Sequence, residues 1–255
     1  MLCDSSPIRP PDVDLYLVAG VRTAPLFMEG FRLALGERLE AAGRSVRSKL
    51  LFPYGDWTRG LVPQLREIRR DIGLAPGEAD RSVGGNRVLD ELGAAARSSP
   101  SSEPAPKRLF VGHSGGGVAA VHAARMLMER EGGPPAQVVM IGSPRCRIPP
   151  ELLDSVLFVY KQGTARRGAS ARPSSADPIS LLGTFGGWAA AGRYRVPAWR
   201  SGKHAPAAIR AVPIAGGHAD YFRGHPPFVG PDGRSNLELV LETVWGWLVT
   251  RGFGG

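Results

Sequence analysis

Apolar residues along the chain fall into two alternating patterns. Short apolar runs of the kind that form buried strands alternate with longer stretches whose apolar residues have helical spacing. The predicted strands are residues 15–19, 46–52, 108–111, 137–141, 156–160 and 208–214. The predicted helices are residues 25–42, 61–72, 83–96, 118–130 and 237–249. This order predicts an α/β fold, with a mostly parallel sheet of about six or more strands and helices on both faces.

Three segments break this pattern. Residues 1–14 and residues 163–175 are polar or rich in Arg, Ser, Ala and Gly, and we expect both to be flexible. Residues 183–206 have no regular pattern but contain several aromatic side chains, among them Trp188 and Trp199. With 255 residues, 43% of them apolar, the chain is long enough for one large domain spanning residues 1–255, although two small domains are an alternative.

The predicted strand at 108–111 is followed by Gly112-His113-Ser114-Gly115-Gly116, which fits the pattern G-x-S-x-G. An Ala-rich helical stretch follows directly, so the serine lies at a tight strand-to-helix turn. Such a turn raises the hydroxyl above the sheet and directs helix N-terminal amides toward a nearby oxyanion. The alternative is a glycine-rich junction or phosphate loop, but neither G-x-x-x-x-G-K-[ST] nor G-x-G-x-x-G is present. The pattern therefore favours Ser114 as a nucleophile.

A serine nucleophile requires a base and a group that orients the base. In sheets of this kind the chain order is Ser, then Asp or Glu, then His. Of the downstream histidines, His218 directly follows a predicted strand in Ala-Gly-Gly-His, whereas His204 precedes that strand and His225 lies in a turn. We therefore predict His218 as the base and keep His204, His225 and a structural histidine as alternatives.

The candidate acids differ in which end of the predicted sheet they lie near. Ligands bind at the carboxyl ends of the strands in open α/β sheets. Asp177 follows the strand at 156–160 and is predicted as the acid, with an Asp-Pro turn or helix cap as the alternative. Asp220 is a weaker candidate. The acids at unfavourable positions are Glu129, Glu131, Glu151 and Asp154.

The oxyanion of an acyl-transfer intermediate needs two amide donors. Gly115 follows the nucleophile and supplies the first. The loop after the first strand, Gly20-Val21-Arg22-Thr23, fits the second by position, with Val21 and Arg22 as candidate amides.

Three further residues are predicted to contact substrate. The hydroxyl of Thr23 faces the substrate or caps the next helix, and His113 directly precedes the nucleophile. Trp188 belongs to the aromatic stretch 185–199, which either lines an acyl pocket or packs on the surface.

These segments resemble those of α/β hydrolases, and within that superfamily the fungal-type (class 3) lipases. The oxyanion turn 18–23, the elbow 112–116, Gly142-Ser143-Pro144-Arg145 and Asp177-Pro178-Ile179 each match a segment of that group. The resemblance spans Val18 to His218 and implies a Ser114–Asp177–His218 triad acting on esters without a metal or cofactor. Gly115 replaces a larger apolar residue, and neither a lid nor a secretion signal is apparent, which favours an intracellular esterase over a lipase.

Charge and cysteine content add few constraints. Lys and Arg number 32 against 23 Asp and Glu, a net charge of +9, and the basic residues are spread along the chain. Because basic and aromatic residues do not cluster, we expect no nucleic-acid binding. The charge is expected to favour solubility, with weak attraction to anionic substrates or lipid surfaces as a further role, and an arginine-rich composition without any role is the alternative. The stretch 166–172 is the densest group of arginines. The two cysteines, Cys3 and Cys146, are expected to be free thiols, and no metal site is predicted.

The sequence thus predicts a lipase-like serine esterase that acts on a small ester or acyl substrate. The first 14 residues contain no apolar signal segment and no apolar run is long enough to cross a membrane, so a cytoplasmic protein is expected. A thioesterase or acyltransferase with the same triad, an inert scaffold that binds a partner, and a protein that binds anionic surfaces are the alternatives.

Overall fold

Six parallel strands form one sheet in the computed structural model of the chain, which describes residues 11–96, 106–163, 177–191 and 196–254. The strand order in the sheet is β2-β1-β3-β4-β5-β8. The described strands are β1 (Val13–Val18), β2 (Val46–Leu51), β3 (Lys107–His113), β4 (Gln137–Ile141), β5 (Val156–Lys161), β6 (Gly187–Ala191), β7 (Val196–Arg200) and β8 (Ala208–Val212). The predicted α/β fold with a parallel sheet is confirmed.

Among the described residues, five α-helices cover both faces of this sheet, as the sequence predicts. They are α1 (Glu29–Ala41), α2 (Leu61–Gly73), α3 (Val83–Ala96), α4 (Gly115–Glu131) and α5 (Asn236–Val249). Along β1, Leu15 and Leu17 pack against α1 and α5, while Tyr16 and Val18 pack in the separate cluster under α2, α3 and α4. Strands β1 to β5 each supply apolar side chains to both cores, which is why the central strands are apolar at nearly every position.

The order in which strands are added to the sheet changes direction between β1 and β3. The chain leaves β1 for β2 on one side and returns to β3 on the other. At such a switch point the loops that follow the two neighbouring strands, here β1 and β3, run in opposite directions. They leave a crevice at the carboxyl ends of these strands. Gly20 and Ser114 both lie at this crevice.

The structure differs from the sequence prediction at several element boundaries. Helix α4 begins at Gly115 rather than at 118, and α1 begins at Glu29 rather than at 25. A β-carbon at Gly116 would lie 1.9 Å from the carbonyl oxygen of Val18, so glycine is required for the start of α4 to reach the end of β1. Close packing here outweighs the low helix propensity of glycine.

The region 183–206, predicted to be irregular, contains an antiparallel pair, β6 and β7. Trp188 and Trp199 face each other across it with ring centroids 5.7 Å apart. The segment 1–14, predicted to be flexible, includes the first residues of β1, which begins at Val13. The remainder of that segment up to residue 10, and residues 164–175 of the predicted mobile loop, lie outside the described residues.

Candidate active site

Ser114 lies in a strained backbone conformation between β3 and α4. Its φ is 55° and its ψ is −135°, and its amide donates to the carbonyl of Ile141 at 3.1 Å. Within the described part of the chain, Arg22 (φ 48°) is the other non-glycine residue with positive φ. Such conformations cost about 1 to 3 kcal/mol and tend to occur at functional sites. The two strained residues lie on the two loops that border the same crevice.

The loop after β1 is in direct contact with the nucleophile candidate. A β-carbon at Gly20 would lie 2.7 Å from Cβ and 3.1 Å from Oγ of Ser114. Glycine is therefore required at position 20 for the loop to approach the side chain of Ser114. Only 7% of Ser114 is exposed.

Asp177 and His218, which are 41 residues apart, are brought together after β5 and β8. Nδ1 of His218 lies 3.1 Å from Oδ1 and 3.2 Å from Oδ2 of Asp177. Asp177 is fully buried, whereas a quarter of the His218 side chain is exposed. Since the carboxylate can only accept, the proton is on Nδ1 and Nε2 is left to act as a base.

Hydrogen bonding keeps the buried carboxylate ionised. Burial alone raises the pKa of Asp177, but hydrogen bonds and charge from His218 outweigh it, together with hydrogen bonds from the Tyr221 hydroxyl and the Ile179 amide. The pKa of Asp177 is therefore lowered from its ordinary value. An ionised acid at this position stabilises a positively charged imidazole.

Tyr221 is a partner of Asp177 that the sequence analysis does not identify. Its hydroxyl donates to Oδ2 of Asp177 at 2.7 Å and accepts from the Lys161 amide at 2.9 Å. The ring is fully buried, and burial beside a carboxylate raises the pKa of Tyr221 well above its ordinary value. Its position three residues after His218 in a short helical turn is the one sequence signal of this role.

His113, predicted as a substrate contact, lies beneath His218. The two rings stack with centroids 4.7 Å apart, and Nε2–H of His113 donates to the carbonyl of His218 at 3.1 Å. Only 4% of His113 is exposed, and burial together with the charge of His218 lowers its pKa to about 3. His113 is therefore neutral at neutral pH and supports the loop that carries His218.

No hydrogen bond joins Ser114 to His218 within the described residues. In the structure, Asp177 contacts His218, and Gly20 contacts Ser114. His113 links the two pairs, since it adjoins Ser114 in the chain and stacks on His218. Catalytic hydrogen bonds of enzymes without substrate are often long and shorten in the complex.

Two of the three predicted oxyanion donors are available. Gly115 is the first residue of α4, so its amide has no acceptor within the helix. The Val21 amide makes no hydrogen bond to any described residue. The Arg22 amide instead donates to Oε1 of Gln64 at 3.0 Å, so in this structure it is directed away from any oxyanion. Of the predicted donors, Gly115 and Val21 therefore have amides without an acceptor among the described residues, and Arg22 does not.

The structure places Thr23 within the loop after β1 and Trp188 in the β6–β7 pair. The Thr23 side chain is buried, and its hydroxyl lies 3.5 Å from the carbonyl of Val21, within its own loop. Trp188 is 64% exposed in the β6–β7 pair and meets Trp199 edge to face.

The segment after β4 holds the loop that carries the acid. The Arg145 amide donates to the carbonyl of Leu182 at 2.8 Å, and its Nε donates to the carbonyl of Ser180 at 3.1 Å. A β-carbon at Gly142 would lie 3.1 Å from Oδ2 of Asp177. The Gly-Ser-Pro-Arg segment of the sequence resemblance thus packs on and fastens the Asp177 loop.

Other reactive groups of the described residues lie away from this arrangement. Burial raises the pKa of the Cys146 thiol to about 12, so it remains protonated and unreactive. No cluster of three or more His, Cys, Asp or Glu side chains within the described ranges has an arrangement that could hold a metal ion. In the same ranges, no helix is both long and apolar enough to cross a membrane.

Comparison with known proteins shows a similarity in structure but none in sequence family. No protein-family model matches the chain, and no curated protein matches it in sequence. The chain is similar to a Trichoderma reesei cutinase solved in complex with a C11Y4 phosphonate inhibitor, with a TM-score of 0.32 and 16% sequence identity. The match covers 58% of this chain and 60% of the cutinase chain. The assignment of a function therefore rests on the site itself.

Proposed function

We propose that the protein is a serine hydrolase of the α/β-hydrolase type that cleaves carboxylic esters through an acyl-enzyme. The observation that carries this proposal is the backbone of Ser114, which is held at φ 55° with its side chain against Gly20 at the sheet's switch point. A purely structural serine at this junction would gain nothing from the strain.

The proposed reaction uses Ser114, His218 and Asp177 in turn. Nε2 of His218 takes the proton from Ser114 Oγ as that oxygen forms a bond to the ester carbonyl carbon. The alcohol leaves with the proton from His218, and the acyl group remains on Ser114. His218 then activates a water molecule that releases the carboxylic acid and restores the serine. Asp177 holds the Nδ1–H of His218 and stabilises the imidazolium in both halves of the reaction.

The amides of Gly115 and Val21 are the proposed donors to the oxyanion. Gly115 adds the positive end of the α4 dipole, because it begins a helix of 17 residues. Two amides held by a rigid sheet and helix need no reorganisation as charge develops on the carbonyl oxygen.

The missing hydrogen bond between Ser114 and His218 favours a second candidate, an inert scaffold on the same fold. In that case neither acylation nor turnover occurs. A thioesterase or acyltransferase uses the same three groups, so it differs from an esterase only in the leaving group or the acceptor that it prefers.

Hydrolysis of matched oxygen esters and thioesters tests the proposal. We expect turnover of short p-nitrophenyl esters by the wild type, and a loss of kcat of about 10³-fold or more in Ser114→Ala and His218→Ala. A thioester preference would favour the thioesterase. Full folding with no turnover of either class, over acyl chains of different length, would favour the scaffold and contradict the proposal.

A further inference from the structure

Helix α2 presents a buried amide side chain to the oxyanion loop. Gln64 is fully buried, and its Oε1 accepts from the Arg22 amide at 3.0 Å. Its Nε2 donates to the carbonyls of Asp56 at 3.0 Å and Arg59 at 2.9 Å. The partners fix the orientation of the amide, since reversing it would set donor against donor at Arg22 and acceptor against acceptor at the two carbonyls.

The same face of α2 also contacts the other oxyanion donor. Ile68 lies one turn after Gln64, so the two side chains share a face of the helix. A β-carbon at Gly115 would lie 2.3 Å from Cδ1 of Ile68. Ile68 therefore occupies the space that a larger residue after the nucleophile would fill, and this accounts for glycine at position 115.

The rest of α2 is firmly anchored, so its position is well defined. Asp71, seven residues after Gln64, is fully buried and accepts from the Tyr54 hydroxyl, the Ser82 hydroxyl and the Gly84 amide, each at 2.8 Å. These bonds join α2 to the start of α3 and to the segment after β2.

We propose that α2 positions both halves of the oxyanion hole, with Gln64 as the positioning residue for the Val21 amide and Ile68 as the packing surface for Gly115. The inference rests on the proposed esterase function. Arg22 has a φ of 48°, which persists only where its surroundings enforce it. The bond from its amide to Gln64 enforces that conformation and so fixes the direction of the adjoining Val21 amide. Gln64 acts through the loop and does not touch the substrate.

Two variants of Gln64 and one control separate this role from stability. Gln64→Met keeps the length of the side chain and removes all three hydrogen bonds. Gln64→Glu keeps an oxygen opposite the Arg22 amide. Glu67→Gln, in the same helix, loosens the ion pairs with Arg59 and Arg87 at 2.6 and 2.8 Å.

In Gln64→Met we expect kcat for the ester to fall about 10- to 100-fold, with KM within about 3-fold of the wild type. The Arg22 amide should also exchange its hydrogen faster, as read by mass spectrometry of peptides that cover residues 20–23. Gln64→Glu, whose second oxygen faces the carbonyls of Asp56 and Arg59 without a hydrogen to donate, should recover little of the kcat. Glu67→Gln should lower the melting temperature but leave kcat unchanged. If Gln64→Met does not fold, Gln64→Asn, which is too short to reach Arg22, replaces it with the same expectation.

Wild-type kcat in a folded Gln64→Met, or an equal loss of kcat in Glu67→Gln, would overturn the inference and leave the esterase standing. Fluorophosphonate labelling of each folded protein distinguishes this from failure of the function itself. A wild type that takes no label overturns the proposed function, and the inference with it.

Discussion

The hydroxyl of Tyr221 lies 2.7 Å from Oδ2 of Asp177, on the same carboxylate that receives the Nδ1–H of His218. The tyrosine also accepts from the Lys161 amide at the end of β5. The acid is thus fixed from the strand side as well as from the histidine side, which limits rotation of its carboxylate.

Tyr221→Phe is predicted to lower kcat/KM about 10-fold, because the carboxylate loses a donor that orients it. The buried Lys161 amide loses its acceptor, so the free energy of unfolding should fall by about 1 to 3 kcal/mol. Ester kinetics and urea unfolding measure the two effects. Tyr16→Phe is the matched control, since it removes a phenol–carboxylate contact of 3.3 Å to Asp14 at the opposite end of β1. Equal loss of kcat/KM in both variants would contradict a specific role for Tyr221.

His113 makes the protein less stable in acid. Its pKa is about 3 in the folded protein against an ordinary 6.5, so between these values the unfolded chain binds more protons. The stability of the fold that contains a neutral His113 is therefore greatest above pH 6.5, and it decreases as the pH falls toward 3. His113→Phe keeps a ring for stacking and should reduce the slope of unfolding free energy by about 1.4 kcal/mol per pH unit between pH 4 and 6. Urea unfolding at several pH values gives both slopes, and identical slopes would refute the prediction.

Gly20→Ala should remove most activity while leaving most of the sheet intact. The added β-carbon would lie within 3.1 Å of both Cβ and Oγ of Ser114, so either the serine or the oxyanion loop must move. We expect a fall in kcat of about 100-fold or more. Gly36→Ala in α1 is the control, because a β-carbon there meets nothing within 4 Å and should be neutral or stabilising. A fully active Gly20→Ala enzyme would show that the loop is not positioned as described.

Glu67 supplies a stabilising interaction that depends on pH and lies away from the chemistry. Hydrogen bonds and charge from Arg59 and Arg87 lower its pKa from 4.5 to about 2. This stabilisation is present above pH 4.5 and is lost as the pH falls toward 2. Glu67→Gln should therefore lower the free energy of unfolding by about 1 to 3 kcal/mol at pH 7, and by little near pH 2. A deficit that persists at pH 2 would mean that packing, not charge, is responsible.

Sequence pattern predicted the parallel sheet because its strands are apolar on both faces. The bounds of β4 (Gln137–Ile141) and α3 (Val83–Ala96) agree with the prediction, since Gly142 ends the apolar run of β4 and Ser82 precedes α3. The β6–β7 pair was missed because it has exposed tryptophans and Pro197 inside a strand, so neither an apolar run nor clear alternation marks it. The first turn of α4 was not predicted because it consists of three glycines, which have a low helix propensity.

The candidate triad followed from chain order and strand ends, but the residues that support it did not. Gln64 and Arg22 are 42 residues apart, and nothing in a helix of mixed polarity indicates that one buried glutamine reaches another loop. The bond from the Arg22 amide to Gln64 was therefore not predicted. The roles of His113 beneath His218 and of Ile68 against Gly115 likewise depend on tertiary contacts.

Labelling by a fluorophosphonate, read by intact mass, tests the central claim most directly. It reports whether Ser114 is activated, whatever the natural ester. The account predicts one adduct on the wild type, none on Ser114→Ala, and a labelling rate reduced about 100-fold or more in His218→Ala. A folded wild type with no adduct, or an adduct that persists on Ser114→Ala, would contradict it.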